Sequence, residues 1–155
     1  MIIHHRDILF CQLVEIAQLK KLSWVYPIES QIEWIEKNVK PWDYHLLMDN
    51  AYCHLTPLIL SVDNETKLGY GVGSVCTREP GKGYGKELMN EVNKFIGFAP
   101  GLLFCRSRVV PFYSLYGWKV VDKSKLMLMI NDDLFNTMIY GIKDYELIKY
   151  EGRIF

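Results

Sequence analysis

Three alternating glycines, in Gly81-Lys82-Gly83-Tyr84-Gly85-Lys86, separate an apolar segment ending at Thr77 from a run whose apolar positions Leu88, Val92 and Phe95/Ile96 recur at helical spacing. A glycine-rich bend between a strand and a helix limits the possible folds more than any other feature of the chain. Glycine lets the backbone turn tightly and approach a ligand without side-chain obstruction. The first amides of the helix that follows have no internal partners, and the helix dipole places positive potential there. Together they form an anion cradle suited to a pyrophosphate, with Lys82 and Lys86 adding charge. The segment is not a GxxxxGK[ST] loop, since Gly81 and Gly85 are too close and Glu87 follows Lys86. It is also not the GxGxxG dinucleotide fingerprint, because the two-residue gap is missing and the elements upstream are not βαβ. A glycine cluster that merely closes the loop is the other reading of the same residues.

The elements around this bend predict one mixed α/β domain spanning residues 1–155. Residues 2–5 read as a strand. Asp7 to Leu22 reads as a helix capped by Asp7, with Leu9, Leu13, Ile16 and Leu19 or Lys20 on one face. A second helix follows, signalled by the capping-box pattern Ser30-Gln31-Ile32-Glu33, the stripe Ile28, Ile32, Ile35 and Val39, and the stop at Pro41. Its opposite stripe, Glu29, Glu33 and Glu36, is a solvated face or a cation-attracting rim. Tyr44–Met48, Cys53–Val62 and Leu68–Thr77 read as strands joined by Asp49-Asn50 and Asp63-Asn64-Glu65-Thr66. Pro57 demotes the middle strand to an edge or a bulge. After the helix Gly83–Ile96 come a strand at Gly101–Cys105, a short helix Val109–Tyr116 closed by Gly117, and a strand at Trp118–Val121. Leu126–Ile130 and Tyr145–Tyr150 are extended, with Asp132–Met138 helical between them.

Composition narrows the partners. Lys+Arg and Asp+Glu number 18 each, so the chain lacks the basic surplus a general nucleic-acid binder needs. No apolar run approaches the roughly 20 residues that span a bilayer, and the first residues lack a signal-peptide pattern, which predicts a cytoplasmic protein with no membrane partner. Cys11, Cys53, Cys76 and Cys105 are irregularly spaced, which favours reduced, buried thiols over a disulfide frame or a metal site. A nucleophilic thiol wants a basic neighbour, and the sequence shows none for Cys76 or Cys105. Adjacent His4 and His5 point to opposite faces of a strand, and His45 and His54 read as lone structural imidazoles in half-buried strands. The apolar stretches Leu126–Ile130 and Tyr145–Phe155 serve equally as a half-buried sheet or as the seam of a homodimer.

Gly71–Met89, GVGSVCTREPGKGYGKELM, resembles motif A of the GNAT superfamily of acyl-CoA-dependent N-acetyltransferases. Leu102–Trp118, LLFCRSRVVPFYSLYGW, is similar to the family's strand–helix–strand segment ending in F-Y-x-x-x-G-[FW]. Val75-Cys76-Thr77 and the VPFY run look nearest to aminoglycoside, nodulation and arylalkylamine acyltransferases. The resemblance implies a mostly antiparallel twisted sheet flanked by helices, and acetyl-CoA as co-substrate. The strand edge at Ser74, Val75, Cys76 and Thr77 would pair with the pantetheine arm. The amides of Gly81, Lys82, Gly83, Tyr84, Gly85 and Lys86 would hold the pyrophosphate, and Tyr113 would protonate the departing thiolate. One position departs from the pattern: the Arg or Gln usual at the start of the loop is Pro80, which has neither a side-chain donor nor an N–H, with Arg78 two residues earlier.

The resemblance thus implies transfer of an acetyl group to a primary amine of a small molecule by direct attack. Asp49, His54, Glu29 and Glu33 are the candidate bases, and Trp24, Tyr26 and Trp34 line either the acceptor site or nothing but the surface. Two readings compete: a non-catalytic acyl-CoA sensor or scaffold, and an acyltransferase using a longer acyl or carrier-protein donor.

Overall fold

The computed structural model describes residues 1–130 and 133–155. Its strands are β1 (Ile2–His4), β2 (Tyr44–Met48), β3 (Ala51–Val62), β4 (Glu65–Thr77), β5 (Gly101–Cys105), β6 (Lys119–Val120), β7 (Leu126–Leu128), β8 (Asn136–Tyr140) and β9 (Ile148–Tyr150). The helices are α1 (Phe10–Ser23), α2 (Ile28–Asn38), α3 (Tyr84–Ile96) and the short α4 (Val110–Ser114). Two compact units share the long strands: residues 1–56 with 74–92, and residues 57–73 with 93–155.

In the first unit, β1, β2 and the start of β3 form an antiparallel ladder with Ile3 opposite His45 and His45 opposite His54. Ile3, Leu13, Ile16, Leu19, Ile35, Val39, Leu47, Tyr52 and Cys76 make one apolar cluster. Each such fully buried aliphatic contributes roughly 2 kcal/mol. The α2 stripe behaves as the periodicity predicts: Ile35 and Val39 are buried and Glu29, Glu33 and Glu36 face solvent.

In the second unit β5 is central. It pairs parallel with β4 from Tyr70↔Gly101 to Val72↔Leu103, and antiparallel with β8 along its whole length. The far edge is β6 on β8, while β9 lies antiparallel on β3 at Ser61 and Val62 and carries β7. Leu58, Leu60, Val62, Leu102, Val121, Ile139, Ile148 and Tyr150 form its core.

Four local expectations are corrected. Asp7 does not cap α1. It lies in a 3-10 turn, and the helix starts at Phe10 with the Leu9 N–H donating to Gln12 Oε1 at 2.9 Å. Ser30 is not a cap either, because Pro27 starts α2 and puts Ser30 inside its first turn. The turn after β3 is only Asp63-Asn64, both left-handed at φ 51° and 67°, so Glu65 and Thr66 already belong to β4. Asn136–Met138 is strand rather than helix, since pairing with β5 and β6 overrides local preference, and Asp132 lies outside the described residues.

Candidate functional site

β4 is irregular where the sequence places the arm-binding edge. Ser74 is left-handed at φ 53° in mid-strand, a conformation costly for a residue with a side chain and the mark of a bulge. The β4–β5 ladder ends at Val72, while β4 itself continues to Thr77. Beyond Thr77 the Arg78 N–H donates to Asn50 O at 2.8 Å, which ties the exit of β4 to the β2–β3 turn.

The loop then turns on two left-handed glycines, Gly81 at φ 79° and Gly83 at φ 85°. No atom lies within 4 Å of a Cβ built on either, so glycine is required by conformation and the space above both is open. Gly85 sits within the first turn of α3, whose first backbone bond runs from the Glu87 N–H to Gly83 O at 3.1 Å. The amides of Tyr84, Gly85 and Lys86 therefore precede the helical ladder at the positive end of a 13-residue helix. Lys82 and Lys86 are exposed beside them, as are Arg78 and Pro80.

The structure brings Asp49 to this region. With Tyr84, Glu87 and Glu15 it lines a cavity of about 410 Å³ beside the β2–β3 turn. That turn adjoins Arg78, three residues past Val75, so Asp49 stands at the loop end of β4. Glu29 and Glu33 remain on the solvent face of α2.

His54 is committed elsewhere. The two strand histidines are hydrogen-bonded structural imidazoles, as expected, and both are buried within polar chains. Asp43 accepts from the Thr56 hydroxyl at 2.6 Å, from His54 Nε2 at 3.0 Å and from the Lys40 N–H at 2.8 Å. Burial alone would raise the Asp43 carboxyl, but these hydrogen bonds outweigh it and hold its pKa below the usual range. His45 bridges His5 Nδ1 at 2.9 Å and the Tyr52 hydroxyl at 2.8 Å. Burial, then the neighbouring His54 and His5, pushes His45 down to about 3, which keeps it neutral.

Sequence reasoning also missed Lys20. It is 4% exposed, with Nζ 4.1 Å from the Trp34 ring centroid and 5.7 Å from that of Trp24. Trp24, Tyr26 and Trp34 are all partly exposed, at 38%, 63% and 45%. Burial lowers Lys20 to about 8, opposed by Cys76. Cys76 thus has the basic neighbour the sequence did not show, yet burial dominates and pushes its thiol up to about 12. Cys105 is likewise buried and raised to about 11, so neither thiol is an activated nucleophile.

In the second unit Tyr113 is buried in α4, its ring edge-on to Phe112 at 5.1 Å. Asn93, which the sequence did not single out, anchors the turn after this helix. It donates to Tyr116 O at 2.8 Å and accepts from Trp118 Nε1 at 3.1 Å. A polar side chain on the buried half of an amphipathic helix was the available signal. Trp118 in turn lies over Gly101, where an added Cβ would meet its ring at 2.6 Å.

A bulged strand, a left-handed glycine loop and a helix N-terminus, followed by a second strand–helix–strand, define the GNAT N-acetyltransferase fold, and the chain has that fold. It is similar to ElaA of Escherichia coli at 19% identity and TM-score 0.61, over 90% of this chain and 97% of that one. An acyl-CoA N-acyltransferase from Pseudomonas aeruginosa matches at 18% identity and TM-score 0.62, again over 90% and 97%. The GNAT-family N-acetyltransferase YhbS of E. coli, solved in complex with CoA, matches at 15% and 0.58 over 97% and 89%. Neither a family model nor a curated protein sequence matches the chain.

Proposed function

We propose that this protein is an acyl-CoA-dependent N-acetyltransferase that moves an acetyl group from acetyl-CoA to a primary amine of a small molecule. The pair of left-handed glycines opening α3 carries the reading, because it presents successive amides at a helix N-terminus with open space before them. The amides of residues 81–86 bind the diphosphate, and the Ser74–Thr77 edge pairs with the pantetheine arm. The Val75 N–H polarises the thioester carbonyl. The amine nitrogen attacks the carbonyl carbon, the carbon–sulfur bond breaks, and the sulfur takes the Tyr113 hydroxyl proton. The proton shed by the amine returns to Tyr113 through a water chain, with His54 bonded to Asp43 and Glu29 and Glu33 on the solvent face of α2. That the protein acts in the cytoplasm, on a small amine rather than a nucleic acid or membrane, is part of the same proposal.

Calorimetry with coenzyme A, followed by a coenzyme-A-release assay over aminoglycosides, amino sugars, polyamines, arylalkylamines and peptide N-termini, tests it. Binding together with amine-dependent release is expected. Binding without release under any amine favours the sensor reading, for which Pro80 is the supporting departure. No binding at all overturns both.

A further inference from the structure

We infer that the connection between α1 and α2 is a self-association face, through which two copies of this chain pair about a two-fold axis at Val25. The inference is independent of the acyltransferase reading above and lies wholly within the first unit. Residues 21–27 are exposed without a break. Together with α2 this connection turns five large apolar side chains to solvent: Val25 is 87% exposed, Tyr26 63%, Leu22 55%, Trp34 45% and Trp24 38%. Trp24 and Trp34 belong to one patch, because Lys20 Nζ stands 5.7 Å from the first ring centroid and 4.1 Å from the second. The patch is also held in shape. The buried Gln31 side chain donates to Trp24 O at 3.0 Å, and the Tyr26 N–H donates to the same carbonyl at 2.7 Å. A connection fixed in this way loses little conformational entropy on docking.

Area and charge name the occupant. The five side chains present roughly 600 Å² per copy, at the upper end of what a monomer leaves in one patch. Two copies closed face to face bury about 1,200 Å², where stable protein interfaces begin. Tryptophan and tyrosine are also the side chains that such interfaces concentrate. The charges are self-complementary. Lys21 flanks the apolar run on one side and Glu29 on the other, both exposed and equidistant in sequence from Val25. Among the described residues neither enters an ion pair. A two-fold axis at Val25 sets Lys21 of each copy against Glu29 of the other, and Trp24 against Tyr26. A face of one sign calls for a foreign partner of the other sign, whereas a face with both signs placed symmetrically fits itself.

The test is sedimentation velocity of the full chain over about 1 to 500 µM, on wild-type protein, Val25→Asp, Lys21→Glu and the double variant Lys21→Glu/Glu29→Lys, with thermal unfolding to confirm that each is folded. Wild-type protein is expected to pass from monomer to dimer in the micromolar range, where interfaces of this size fall. Val25→Asp brings two carboxylates together at the axis and should raise the dissociation constant at least about 100-fold. Should that variant fail to fold, Tyr26→Asp decides in its place. Lys21→Glu should raise the constant about five-fold, and the double variant should restore it. A chain that stays monomeric throughout, a dimer indifferent to Val25→Asp, or assembly that continues past the dimer overturns the inference. A double variant no tighter than Lys21→Glu overturns it too, because the axis is then not at Val25. A monomer whose tryptophan emission shifts on adding tyramine assigns the face to a small ligand and likewise overturns it. The acyltransferase reading stands or falls separately, on coenzyme A binding and release.

Discussion

Among the described residues, Lys20, Gln31, Asp43, His45, His54 and Thr56 are buried polar side chains of the first unit, whereas the second buries Thr137. The first unit closes its core around hydrogen-bonded and titratable groups. The second closes its own with aliphatics and ring contacts such as Phe104–Tyr150 and Trp118–Tyr140. A core of the first kind depends on protonation and on every partner being present, while one of the second kind depends on shape. The two units should therefore respond to different perturbations.

The sharpest test is Asp43→Ala, which strips His54, Thr56 and the Lys40 amide of their shared acceptor. Loss of about 4 kcal/mol is expected in urea unfolding. Amide exchange should accelerate in residues 1–56 before it does in β5 and β8, and uniform acceleration would erase the contrast. Next comes Tyr113→Phe, expected to lower kcat about 100-fold with coenzyme A affinity within a factor of two. Unchanged kcat would remove the second unit's tyrosine from the chemistry.

Acid comes third. His45 has its folded pKa, about 3, below the unfolded value, so the unfolded chain takes the proton first. Stability contributed by neutral His45 is full above about pH 6.5, declines as pH falls and levels off near 3, a loss of about 2 kcal/mol by pH 5. His45→Gln should flatten the pH dependence of the unfolding midpoint between 7 and 5, and a slope that persists would assign it to other groups. The smallest effect is on Lys20, whose folded pKa of about 8 also lies below its unfolded value, so its burial weakens folding below about pH 8 and the penalty fades as pH rises towards the unfolded value. Lys20→Met should raise stability at pH 7 by about 1 kcal/mol in thermal or urea unfolding. A decrease would show that the Trp34 and Trp24 contacts outweigh desolvation.

Much of this architecture was legible in the residues. β2 and β5 fall at their expected bounds, and α3 begins within one residue of its expected start, because short apolar runs and a strong 3.6-residue period survive any tertiary context. The glycine bend was legible for the same reason: its conformation is local. Helix starts were misread where local capping signals lost to neighbours, at Asp7 by the 3-10 turn and at Ser30 by Pro27. The strand at Asn136–Tyr140 is dictated by two partners distant in sequence. The Asp43, His45 and Lys20 environments depend on which strands lie side by side, and no spacing rule encodes that. The seating of Phe155 on Gly71 is of the same kind, joining positions 84 residues apart.

Pro57 carries one more consequence. β4 takes one edge of β3, and the other edge is shared by β2, which ends its register at Leu55, and β9, which begins at Ser61. Among the described residues no strand pairs with that edge between these partners, and Pro57, exposed there, has no hydrogen to offer a passing strand. The imino acid thus guards a gap in the ladder against recruitment of foreign polypeptide, a defence against aggregation placed in the middle of a long strand rather than along the sheet's rim.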